Sequence, residues 1–218
     1  MDIVDFGTPF GLAFASGLNA YLPLLAFSLS TRWLHLYRVN PQFDFITQSW
    51  FIAALAILAL LDFVADKIPF IDHAWNAIHA VVRPIAGAVV AVVASSHALP
   101  TAPVLSVTSH TGPGAATVAL SAIPITGFGL LVILIIGAVL ATLSHRTKST
   151  ARFVSTFTTA GLFNWVLSLV EDLLVFIVIL LSLFASAIML LLLILLVLFL
   201  VPRYLRIRNG WFSRHGRM

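Results

Sequence analysis

The chain has 218 residues, 61% of them hydrophobic and 9% charged, with a net charge of +4 and a mean hydropathy of +1.07. Soluble domains run at about 45–50% apolar and about 25% charged, so the composition excludes an ordinary soluble domain and describes an all-α polytopic membrane protein. The absence of cysteine excludes disulfides and thiolate metal sites. The basic residues lie beside apolar runs, where membrane topology explains them without nucleic acid.

The start, MDIVDFGTPF, carries Asp2 and Asp5 where a secretory signal would carry positive charge, so no cleavable leader is expected. Residues 7–30 predict a first span, in which Ser16, Asn19 and Pro23 make a weak polar stripe and the small residues of FGLAFASGLNAYLP suit tight helix packing. The aromatic, polar segment TRWLHLYRVNPQFDF then suits an interfacial loop. Residues 49–65 predict a second span, closed by DKIP because Pro69 cannot continue a helix.

Residues 75–96 predict a third span, entered through HAWNAIHAVVRP, and the stretch 66–84 is a candidate re-entrant piece. SSHALPTAPVLSVTSHTGPG reads as the longest aqueous loop. Residues 115–144 predict a fourth span, kinked or interrupted at Pro124 and Gly127, and SHRTKSTAR a short basic loop. From Phe153 to Val201 there is too much apolar chain for one crossing of roughly 20 residues, so two more spans are expected. Residues 1–218 thus read as a single domain of about six transmembrane helices, ending in a basic juxtamembrane tail over 203–218 whose Trp211 and Phe212 suit anchoring at a membrane surface.

The positive-inside rule orients this arrangement. With both termini cytoplasmic, Lys67, Arg83, Arg146, Lys148, Arg152 and the five arginines of the tail lie inside, leaving only Arg32 and Arg38 outside. Three spans in each half with opposite orientation would also permit an inverted repeat, a frequent transporter plan, and LNAYLP of the first span faintly echoes LSAIP of the fourth.

A carboxylate in hydrocarbon costs at least a few kcal/mol unless paired or hydrated, so the acids near the spans are the natural candidates for function. Asp62 and Asp66 lie one turn apart on one face of the second helix; their repulsion calls for a cation, and Lys67, Arg83 or a metal ion could supply it. A position at the cytoplasmic helix end would excuse Asp66 more readily than Asp62. His79 and Arg83 share the same four-residue spacing, and a guanidinium suits a carboxylate or phosphate, although an arginine snorkelling to headgroups is an equal reading. His79 by itself reads as a satisfied interfacial histidine. His145, Lys148 and Arg152, at spacings of three and four, read as a topology-setting basic patch or an anion grip. On the fifth span Asn164, Ser168, Glu171 and Asp172 share one face, with Gly161 a turn earlier; helix-to-helix hydrogen bonding accounts for Asn164 and Ser168 but poorly for two adjacent acids.

The blocks GLNAYLPLL, ADKIPFID followed by RPIAGA, and SHRTKSTAR followed by FNWVLSLVED, in that order over roughly residues 11–172, resemble an uncharacterised bacterial membrane family known as domain of unknown function forty-one twenty-six. The family's usual form has an arginine where this chain has Asn19. The resemblance implies a multi-span inner-membrane protein and no established activity.

No HExxH, GxSxG or phosphate-binding Gly-Lys-Ser/Thr loop is present, and no cofactor is expected. Three readings follow. A small transporter or channel-like protein would use Asp62, Asp66, Glu171 and Asp172, with Asn19, Asn164 and Ser168 as neutral ligands, to move a cation, proton or small solute. A lipid-phosphate enzyme or flippase would use Arg83, His145, Lys148 and Arg152 on the headgroup. A non-catalytic membrane subunit or assembly factor would pair these charges inside its core. The expected partners are membrane lipids and a second copy of the chain.

Overall fold

The structure, a computed structural model, describes residues 6–65, 69–95, 127–159 and 164–215, with side chains for 6–65, 78–95, 128–150, 166–199 and 202. Seven α-helices carry the fold: α1 (Gly7–Ser16), α2 (Leu22–Arg32), α3 (Ser49–Ala65), α4 (Pro69–Ser95), α5 (Gly127–Thr159), α6 (Asn164–Phe184) and α7 (Ser186–His215). A 3-10 turn over Pro41–Thr47 precedes α3 at an angle of 59°. Among the described residues there is no strand.

Among the described residues three stretches are long and apolar enough to cross a membrane: Ile78–Ser95, Phe128–Thr150 and Val166–Phe184. Counting the bent pair of Pro41–Thr47 and α3 as one crossing makes four. These apolar helices are compatible with an integral membrane protein, since helices satisfy their own backbone hydrogen bonds where no water can.

The first apolar segment differs from expectation. It is not one continuous span but two short helices, α1 and α2, separated at Gly17–Tyr21. α1 is the hub, packed against α4, α5, α6 and α7, with Leu12, Ala13 and Ala15 fully buried. Gly17 lets it approach α5 closely, since a Cβ there would collide with Ser144 and the Ala141 carbonyl. α4 and α5 cross at Gly87 and Gly137, where a Cβ on Gly137 would lie 2.6 Å from the Gly87 carbonyl oxygen. Leu12, Phe27, Val90, Val93, Val175 and Ile179 belong to one core cluster. The outer faces of α3, α5, α6 and α7 expose Leu60, Leu131, Leu173 and Leu198, as a lipid-facing surface should.

The basic stretch SHRTKSTAR forms no loop. It continues α5 without interruption to Thr159, because it contains neither Gly nor Pro and nothing in it stops a helix. The third segment begins at Pro69, not 75, and runs through Pro84. A single non-helical residue, Ala185, divides α6 from α7, and the basic tail is helical to His215. The expected long loop and the Pro124 kink, together with LSAIP, the echo of LNAYLP, lie outside the described residues.

Candidate functional site

The break in the first helix creates a chemical problem that the polar side chains solve. Carbonyls at the end of α1 have no helical donor ahead of them, and an unsatisfied carbonyl in an apolar interior is costly. The last turn tightens, with the Gly17 and Leu18 amides donating to the Phe14 and Ala15 carbonyls at 3.2 and 3.0 Å. Three side chains from α4 and α5 complete the end. Ser144 Oγ donates to the Phe14 carbonyl at 2.6 Å, Arg83 Nη1 to that of Gly17 at 3.4 Å, and Lys148 Nζ to that of Leu18 at 3.2 Å. Two cations at a helix C-terminus also complement its dipole. On the far side of the break, Asn19 Oδ1 accepts from the Tyr21 and Leu22 amides at 3.1 and 2.9 Å. That caps α2, whose second residue, Pro23, needs no partner for an N–H it lacks.

The same two cations draw in the acids. On α3 the inward positions Leu55, Ala59, Asp62 and Ala65 recur at three- and four-residue spacing, and Asp62 is only 1% exposed. His79 and Arg83, one turn apart on α4, meet it. His79 Nε2 lies 3.4 Å and Arg83 Nη2 3.7 Å from Asp62 Oδ1. Arg83 is fully buried, and its Nη1 stands 2.9 Å from His145 Nδ1 on α5. A guanidinium can only donate, so this contact is a hydrogen bond only when His145 presents a lone pair on Nδ1 and carries its proton on Nε2. One turn along α5, Lys148 Nζ lies 3.5 Å from Glu171 Oε2 on α6. The Tyr21 ring stands edge-on to His79, centroids 5.9 Å apart.

The result is a buried belt of charge around the end of α1: Asp62, His79, Arg83 and His145 on one side, Lys148 and Glu171 on the other. The acidic faces of α3 and α6 therefore meet through cations on α4 and α5. Ser168 is buried on the Glu171 face of α6, followed by Val175, Ile179 and Ser182, and Asp172 is half-buried beside it. Asp66 and Lys67 lie outside the described residues. Asn164 and Arg152 fall on α6 and α5, with their side chains outside the described set.

Several readings of individual residues change. Arg83 does not snorkel but is sealed in the core, and His145 and Lys148 form no surface patch. His79, the second residue of the stretch Ile78–Ser95, is buried as part of the belt. Tyr21, Ser144 and the Gly17 and Leu18 carbonyls had no distinguishing signal in the sequence, whereas the four-residue step from His79 to Arg83 was the available hint for His79. Among the described residues, no three His, Asp or Glu side chains are placed to hold a metal ion.

A family model described as Domain of unknown function (DUF4126) matches residues 7–205, so the matched region contains every residue of the belt. No curated protein and no solved structure matches the chain.

Proposed function

We propose, for a chain that belongs to the DUF4126 family and takes no activity from that membership, a small transporter that moves protons together with a small solute through the belt around its broken first helix. The supporting observation is Asp62, a carboxyl 1% exposed that faces His79 and Arg83 from one oxygen. Ionisable groups so placed in a membrane protein mark proton and substrate routes more often than they mark simple scaffolding. Asp62, His79 and His145 are able to gain and lose protons, while Arg83 stays charged throughout. A bare metal cation is the poorer cargo, because Asp62 and Glu171 each already face a cation. Asn19 is committed to capping α2, which leaves Ser168 as the neutral group nearest Glu171 in sequence on the buried face of α6. A discontinuous helix at the centre of such a site is a recurrent transporter device.

In this reading α1 and α2 make one broken crossing and α3 to α7 five more, with both termini on the cytoplasmic side of a bacterial inner membrane. The test is purified protein in liposomes loaded with a pH-sensitive dye. With candidate small solutes supplied, an imposed pH gradient should collapse faster than in protein-free vesicles, and Asp62→Asn should remove most of that difference. Folded wild-type protein that moves neither protons nor any solute overturns the proposal.

One observation favours a second reading, a non-catalytic membrane subunit: the acids of the belt face cations inside packed helices, as structural ion pairs do. That reading expects Asp62→Asn to impair assembly with a partner while no flux is seen in either form. The lipid-phosphate reading has less support, since its proposed grips Arg83, His145 and Lys148 face the helix break.

A further inference from the structure

The transport reading leaves the solute unnamed, and the edge of Arg83 without hydrogen-bond partners points to its chemistry. The belt holds two cations, Arg83 and Lys148, against two carboxylates, Asp62 and Glu171, with His79 and His145 between them. Lys148 is engaged twice, by the Leu18 carbonyl and Glu171. Arg83 is hydrogen-bonded on one side only, and its other edge makes an ion pair with Asp62. Its Nη1 serves the Gly17 carbonyl and His145, while Nε and Nη2 have no hydrogen-bond partner among the described residues. The side chain is fully buried, and the ion-pair contact across this edge, Nη2 to Asp62 at 3.7 Å, is longer than a hydrogen bond. Nε–H and Nη2–H form the side-on fork of a guanidinium, which matches two oxygens of a carboxylate or another small oxyanion.

We propose that this edge is a binding site for a small monovalent oxyanion, taken up together with one proton, and that Asp62 is the counter-ion exchanged for it. The inference rests on the transport reading. A proton from the aqueous phase, passed by His79, converts the Asp62 carboxylate to the neutral acid. Arg83 is then an uncompensated buried cation, and the oxyanion takes the Nε–Nη2 edge. One positive and one negative charge enter together, so the net charge of the belt is unchanged. Loss of the proton restores the Asp62 carboxylate and expels the anion. The groups facing this exchange are Tyr21 at the helix break, Asp62 on α3, His79 on α4 and His145 on α5; the Lys148–Glu171 pair closes the far side and keeps its own balance.

Two probes test the proposal in liposomes held at zero voltage: lactate and nitrate, both small oxyanions, with chloride as a spherical control. An inward lactate or nitrate gradient should acidify the lumen above the protein-free rate, one proton per anion, and chloride should not. Arg83→Lys keeps the charge but removes the fork, and should lower labelled lactate uptake at least tenfold. Asp62→Asn fixes the neutral state, and should retain lactate exchange across the membrane while losing proton-coupled net uptake. For wild-type protein, lactate should also raise the thermal transition more at acidic than at alkaline pH, a readout independent of whether the variants fold. Proton flux that ignores lactate and nitrate, with no thermal shift, overturns the anion site and leaves the transporter reading standing. Loss of exchange in folded Asp62→Asn overturns the role of Asp62. Absence of all flux removes both.

Discussion

At the scale of single residues, the belt is a set of debts that cancel only together. Asp62 and Arg83 are both sealed from solvent, and breaking a buried pair by removing one partner costs about 3–5 kcal/mol because the other charge is left uncompensated. Arg83→Gln should therefore lower the thermal stability of the purified protein substantially. Asp62→Asn should do so as well, and the double variant should lose clearly less than the sum of the two, a coupling that a double-mutant thermal unfolding cycle measures. Part of this was legible before any coordinates. The spacing of Asp62 on an apolar helix, and of Ser168, Glu171 and Asp172 on another, marks faces that must look inward, and Arg83 was a named partner for Asp62. The sequence marks His145 and Lys148 only as part of a topology-setting basic patch or an anion grip, because a cluster such as SHRTKS carries no sign that the carbonyls of a broken helix wait opposite it. That information belongs to a different part of the chain.

At the scale of elements, the break between α1 and α2 determines where the charges converge. Its own stability rests on local chemistry. Asn19→Ala removes the acceptor for the Tyr21 and Leu22 amides and should cost about 1 kcal/mol, seen as a lower unfolding temperature with the fold intact. The α4–α5 crossing is less forgiving. A Cβ on Gly137 would meet the Gly87 carbonyl oxygen and Ala91 Cβ, each at 2.6 Å, so Gly137→Val should cost at least about 1–3 kcal/mol by overpacking and reduce the yield of monodisperse protein on size-exclusion chromatography. The crossing is written in small residues, which are visible in a sequence; the break is not. Ser16, Asn19 and Pro23 also read as a weak polar stripe inside one span, and the packing of α1 against α4, α5, α6 and α7 is not written in that stretch.

At the scale of the whole molecule, the class of apolar helices is legible in composition and in the length of the apolar runs, whereas the orientation of the crossings rests on charge asymmetry. Because the chain has no cysteine, single cysteines can be introduced without background. With both termini inside, Arg146→Cys, at an exposed position, and Arg214→Cys should react with an impermeant maleimide only when it is supplied to the cytoplasmic face. Arg38→Cys, in the loop after α2, should react only from the opposite face. Labelling of 38 and 146 from the same side would reverse the arrangement of the crossings.

The break has a mechanical consequence as well. α1 is gripped by α4, α5, α6 and α7, whereas α2 packs mainly with α1, α3 and the turn leading into it. Gly17–Tyr21 thus joins a helix gripped by four others to one that packs less extensively. Asp62 rides on α3, and Arg83, His145 and Lys148 on α4 and α5. Any shift of α3 against α4 changes the distance between the carboxylate and its cation. The separation of Asp62 from Arg83, 3.7 Å, is therefore a direct measure of how α3 sits against α4.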